Sequence, residues 1–279
     1  FLIGLVVVFI LLWLPYFIKT YGLKTITEDN LPNEGAWAQL DEGNLYYRWY
    51  EPETSNNEIV VLVHGFSTPH FVWNGLKGFL LDSGYRVLVY DHFGRGFSEK
   101  PDIPYDKNLF VNSLRGLLDH QMIEKPVHLV GYSMGGPVVA HFTKAYPKSV
   151  KSMALIAPAG FMNESPSAYM WSIKPLIGEW FWNIFGTMIV FQGNEEDGSP
   201  ARSDPLALSK EDFISQARYQ MQFKGFINAL LSTVRNFNLF DAEKVFTEIG
   251  KTQLLTPSRP SPDDTEYKKR KQRKRFRKR

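Results

Sequence analysis

A chain of 279 residues with 44% hydrophobic and 22% charged residues is long enough for one large domain and apolar enough for a sizeable core. Without a single cysteine it cannot hold a disulfide framework, a thiolate metal site, a cysteine nucleophile or an iron–sulfur cluster. Its net charge of +3 comes from ten basic residues within positions 268–279; without them 22 basic residues face 29 acidic ones, a mildly acidic body that argues against a nucleic-acid-binding protein.

Phe1 to Ile18 (FLIGLVVVFILLWLPYFI) carries no charge. As a helix it would span roughly 27 Å, against a bilayer hydrocarbon core of about 30 Å. Residues 1–18 therefore predict a single-pass N-terminal membrane anchor, with Trp13, Tyr16, Lys19 and Lys24 as an interfacial belt at its end. The alternative is a signal peptide on a secreted protein, although KTYGLKTITED offers no small-x-small cleavage site. A buried helix is the third reading.

Strand and helix patterns alternate from Ala36 onward. Asn44–Tyr50 reads as a strand, and Ile59–Val63 (IVVLV) as one buried on both faces. A helix is expected over Phe71–Leu81, a strand over Tyr85–Tyr90, and a helix over Asn108–Asp119 with Val111, Leu114, Leu117 and Leu118 inward. Val127–Val130, Gly135–Tyr146 and Lys151–Ile156 continue as strand, helix and strand. The rhythm predicts an α/β fold, a mostly parallel sheet flanked by helices over residues 36–160. From 161 to 240 the chain is rich in bulky residues such as Met170, Trp171, Trp180, Phe181, Trp182, Phe185 and Met188. This segment reads as a helical cap inserted after the sixth strand. Residues 241–255 read as a return helix and a stub of core strand.

From Thr256 the composition changes to TPSRPSPDDTEYKKRKQRKRFRKR. Like-charge repulsion and scarce apolar surface predict a disordered basic tail over 256–279. It reads either as a polybasic patch for anionic lipid or nucleic acid, or, preferably, as a terminus that evolved for no function.

Gly131-Tyr132-Ser133-Met134-Gly135 matches G-x-S-x-G between a strand and a helix, the context of a nucleophile elbow. Its glycines allow close strand–helix packing, and the helix N-terminus favours negative charge at Ser133. His64-Gly65-Phe66 follows the IVVLV strand, where a loop must complete an oxyanion hole. The expected donors are the backbone N–H groups of Phe66 and Met134. Asp91 reads as a turn-forming residue after its strand.

Together VLVHGF, YDHFGRGFS and LVGYSMGG resemble the motifs of the α/β-hydrolase-fold serine hydrolases, from about Ala36 to about Lys251. The N-terminal apolar segment and aromatic cap make the chain similar, more weakly, to membrane-bound monoacylglycerol-lipase-like esterases. Epoxide hydrolases and haloalkane dehalogenases share the fold but carry Asp at the elbow, where this chain has Ser133. The resemblance implies a carboxylic ester hydrolase without metal or cofactor, cleaving a small lipid-like ester through an acyl-enzyme on Ser133. Acyl transfer to an alcohol stays open, as does the oligomeric state.

The same resemblance requires an acid after the seventh strand and a histidine after the eighth. The six histidines are His64, His70, His92, His120, His128 and His141, all before residue 142. Asp263 and Asp264 have no strand before them and are not assigned as the acid. His64 and His92 lie at the sheet end where Ser133 emerges and are the nearest substitutes for a base; His128 should bond locally. The chain thus reads as a truncated or frame-shifted copy of a longer esterase, a fragment missing the last strands. The alternative function is an inactive protein of this fold acting as a binding module.

Overall fold

The computed structural model describes residues 2–161, 167–196, 209–237, 239–240 and 242–251. The basic tail, Asp263, Asp264 and the strand stub expected at 252–255 lie outside the described residues.

Among the described residues six strands form one sheet: β1 (Ala36–Leu40), β2 (Gly43–Tyr50), β3 (Ile59–Val63), β4 (Arg86–Tyr90), β5 (Val127–Tyr132) and β6 (Val150–Ile156). Their order is β1-β2-β4-β3-β5-β6. β1 and β2 form an antiparallel hairpin, β2 pairs antiparallel with β4, and β4, β3, β5 and β6 run parallel. The sequence pattern did not single out β1, because AWAQL is short and only Ala38 is buried.

The parallel strands bury both faces, and their side chains alternate between two cores. Val61 and Val63 of β3 join Leu88, Leu129 and side chains of α3 (Lys107–His120) and α4 (Gly135–Ala145) on one face. Val60 and Leu62 join Val87, Val89 and Trp73 on the other, against Leu76 and Leu80 of α2 (Asn74–Asp82). Asp106 caps α3 by accepting from the Leu109 N–H at 2.9 Å, as an N-terminal Asp should.

After β6 the described residues form α5 (Ser167–Ser172), α6 (Ile177–Glu196), α7 (Lys210–Gln220) and α8 (Phe226–Asn236). They make the expected cap. Trp182 packs with Phe226, Leu230, Leu231 and Val234, and Phe66 of the core reaches into this cluster. α9 (Glu243–Gly250) returns to the core, where Val245 and Ile249 cover Ala140 of α4.

The first helix, α1 (Leu2–Thr20), runs beside α6. Trp180 Nε1 donates to Leu12 O and Lys19 Nζ to Ile184 O, both at 2.7 Å. Phe9, Leu11 and Ile18 stay more than half exposed. Among the described residues no helix is long and apolar enough to cross a membrane. The link from α1 to β1 is zipped to the α7–α8 turn: the Lys24 N–H donates to Gln222 O and the Lys224 N–H to Lys24 O, each at 2.8 Å.

Candidate active site

β3 has β4 on one side and β5 on the other, so the strand order reverses at its carboxyl end. Open α/β sheets bind ligands at such a switch point. His64, Gly65 and Phe66 lie here in the loop after β3, with Gly131 near the end of β5, Ser133 and Met134 in the turn after it and Gly135 at the start of α4.

Only Ser133 and Met134 separate β5 from α4. A turn this tight forces Ser133 to φ 51°, in the left-handed region, at a cost of about 1–3 kcal/mol for a residue with a Cβ. The backbone holds it there. The Ser133 N–H donates to Ile156 O at 3.0 Å, while Ser133 O accepts from Gly136 N–H at 2.9 Å and Ala159 N–H at 3.0 Å. The flanking glycines are needed for space. A Cβ on Gly131 would stand 2.5 Å from Gly135 O, and one on Gly135 would stand 2.0 Å from Val63 O.

Gly65 lies against the nucleophile candidate: a Cβ there would be 3.2 Å from the Ser133 Cβ. His64 fixes the next peptide. Its Nε2 accepts from the His92 N–H at 2.9 Å, which leaves the proton on Nδ1, 2.8 Å from Gly65 O. The Gly65–Phe66 peptide thus held carries the Phe66 N–H. Among the described residues neither the Phe66 nor the Met134 N–H donates to a protein acceptor. Two unengaged amides therefore follow the glycine that touches Ser133 and Ser133 itself. The Met134 N–H also sits at the start of α4, where the helix dipole adds positive potential.

The histidines differ in how far they are engaged. His64 uses both ring nitrogens, one within its own loop and one on the turn after β4, and burial pushes it down to about 4. His92 is fully buried, with Nε2 3.2 Å from His64 O, and burial holds it well below its ordinary range. His64 is thus held in a structural role, while His92 keeps a buried Nδ1 that has no hydrogen-bond partner among the described residues. His128 contacts Ser152 Oγ at 2.6 Å and Glu58 at 3.4 Å, near the opposite ends of β5 and β6, in keeping with local bonding. His120 bonds Gln121, and His141 on α4 faces Phe237.

His70 and Asp91 make a pair that sequence reasoning missed. Asp91 is fully buried and accepts from His70 N–H at 2.7 Å, His70 Nδ1 at 2.9 Å and Phe97 N–H at 3.0 Å. Burial pushes its carboxyl up, but the adjoining His70 ring outweighs this and leaves it below its ordinary value. Asp91 shapes the turn after β4, as expected, and also gathers the loop after β3. No spacing in the sequence signals a contact 21 residues apart. Among the described residues no group of three or more histidine or acidic side chains could hold a metal ion.

A reversing parallel sheet, a strained serine between strand and helix and a helical cap after the sixth strand define an α/β-hydrolase architecture. The family model for the alpha/beta hydrolase fold matches residues 58–210, more than half of the chain, and the protein belongs to that family. Among similar proteins, a cis-3-alkyl-4-alkyloxetan-2-one decarboxylase of Xanthomonas campestris pv. campestris is 31% identical over 162 residues, covering 54% of this chain and 50% of its own. The monoacylglycerol lipase ABHD6 of Homo sapiens is 31% identical over 126 residues, 43% of this chain and 36% of its own. The chain thus spans half or less of the length of these curated relatives. The crystal structure of a bromoperoxidase from Bacillus anthracis superposes with a TM-score of 0.60 at 20% identity, covering 80% of this chain and 79% of that one. At that identity the likeness concerns the fold.

Proposed function

We propose that this chain carries the acyl-transfer half of a serine hydrolase: Ser133 Oγ bonds to the carbonyl carbon of a lipid-like carboxylic ester, the Phe66 and Met134 amides receive the oxyanion, and its collapse breaks the ester C–O bond and expels the alcohol, which takes up the serine proton by way of solvent. One observation carries the reading: Ser133 stands at φ 51° beside two unengaged backbone amides. Each such donor contributes about 3 kcal/mol to the transition state. The apolar cover over the loop supports a lipid-like acyl chain, since the Phe66 and Trp182 rings meet edge-on 6.2 Å apart. The named activity of the monoacylglycerol lipase relative favours the same substrate class. A fluorophosphonate probe tests it. Wild-type labelling that disappears in Ser133→Ala supports the nucleophile; no labelling of Ser133 overturns it.

The second reading is a binding module of the same fold without turnover. It is favoured by the engagement of both His64 ring nitrogens, since a triad without its base works on the order of 10⁶ more slowly. Probe labelling without hydrolysis of a nitrophenyl ester would select it.

We propose further that residues 1–18 anchor the chain to a membrane, with the core over 36–160, the cap over 161–240 and a return segment over 241–255. The exposed apolar side chains of α1 support this. Extraction of the full chain from membranes by detergent but not by carbonate is the expected result; release by carbonate would overturn the anchor.

A further inference from the structure

Arg95 is fully buried, yet among the described residues it bonds no carboxylate. A buried charge without a counter-ion is costly and needs every proton satisfied. Its guanidinium instead donates to three neutral oxygens: Nε to Phe66 O at 2.9 Å, Nη1 to Phe93 O at 3.3 Å and Nη2 to Thr233 Oγ1 at 2.7 Å. The rings of Phe66, Tyr105 and Phe110 surround it, with centroids 5.5, 5.6 and 5.6 Å from Cζ. Burial brings the guanidinium down to about 10, so it keeps its charge at neutral pH.

The three acceptors belong to three parts of the molecule. Phe66 is in the loop after β3, Phe93 in the turn after β4, and Thr233 on cap helix α8, 138 residues from Arg95. A second cap side chain reaches the same place. Gln220, at the end of α7 and almost fully buried, accepts from the Gly96 N–H at 2.9 Å and donates from Nε2 to Ser67 O at 3.5 Å. The carbonyls of Phe66 and Ser67 are thus both held by groups tied to the cap.

We infer that Arg95 is a positioning residue, which fixes the peptide after the Phe66 amide and, through Thr233, couples the geometry of the oxyanion loop to the seating of the cap. The charge behind the loop also adds positive potential where an oxyanion would form. Any catalytic consequence rests on the proposed role of Ser133; the coupling itself is conformational.

The test uses the full chain with Thr233→Val, which keeps the shape and removes the acceptor, and Thr233→Ser, which restores it. Gln220→Met probes the other tie and serves if Thr233→Val does not fold. Hydrogen exchange is followed in the peptide covering 64–72, with 127–132 in β5 as the control, alongside the rate of fluorophosphonate labelling. Loss of the tie should speed exchange in 64–72 by about tenfold while β5 stays protected, as expected for a local opening. The limiting labelling rate should fall, with little change in the probe concentration at half-saturation, and Thr233→Ser should recover both. Unchanged exchange in 64–72 in Thr233→Val and Gln220→Met would overturn the coupling. If exchange responds but wild-type Ser133 never labels, the coupling stands and the hydrolase reading fails; normal labelling with unresponsive exchange gives the reverse.

Discussion

The fully buried Asp91 carboxylate receives both the backbone N–H and the ring Nδ1 of His70, at 2.7 and 2.9 Å. One carboxylate thereby joins the loop after β3 to the turn after β4. Replacing Asp91 with Ala would leave the His70 and Phe97 amides without an acceptor. The expected loss is about 3–5 kcal/mol, as for other broken buried pairs. Asp91→Asn should cost less, because one oxygen remains to accept. Urea unfolding with fluorescence detection measures both.

At Ser133 the backbone strain can be separated from the chemistry. Ser133→Ala keeps a Cβ at φ 51° and should leave stability within about 0.5 kcal/mol of wild type. Ser133→Gly removes the Cβ and should be more stable than Ser133→Ala by about 1 kcal/mol. Thermal unfolding of the two variants in parallel provides the comparison. Equal stability would mean that the turn carries no strain.

The glycines of the elbow should tolerate nothing larger. A Cβ on Gly135 would meet the Val63 carbonyl oxygen at 2.0 Å, a clash with backbone that no side-chain rotation relieves. Gly135→Ala is expected to cost about 3 kcal/mol, at the upper end of overpacking effects. At the end of α9 Gly250 has open space around it, so Gly250→Ala should be neutral or stabilising by up to about 1 kcal/mol. Denaturant midpoints of the pair would check the contrast.

Acid should destabilise the fold through its buried histidines. Burial lowers both His64 and His92 in the folded chain, His64 to about 4, against an unfolded value of about 6.5. Between these limits the unfolded chain binds more protons. Stability is therefore complete above about pH 6.5 and falls as pH drops toward 4, by on the order of 1 kcal/mol per unit for each histidine at the steepest point. His64→Gln, which can still accept from the His92 N–H, should flatten that slope. Urea midpoints at pH 7.5, 6 and 5 would test this.

Much of the fold was legible because the parallel strands are buried on both faces and punctuated by glycine-rich turns. IVVLV, YRVLVY and VHLV each became a strand within a residue or two of the expected bounds. The elbow was legible because its geometry demands glycines at fixed spacing. The first strand was not, since a five-residue edge strand with one buried side chain has little pattern to show. Nor was the role of Arg95 or of His64. Both act on backbone carbonyls, and a carbonyl leaves no trace in the choice of residue. Even Thr233, which does contribute a side chain, stands too far along the chain to be paired by eye.

The two hydrogen bonds between Lys24 and the α7–α8 turn have a mechanical meaning. Tension arriving along the N-terminal segment, as from a tethered or laterally dragged α1, is delivered to the turn that holds Gln220 and α8 before it reaches the sheet. A tug at the leash would strain the roof of the protein first and leave its foundations unloaded.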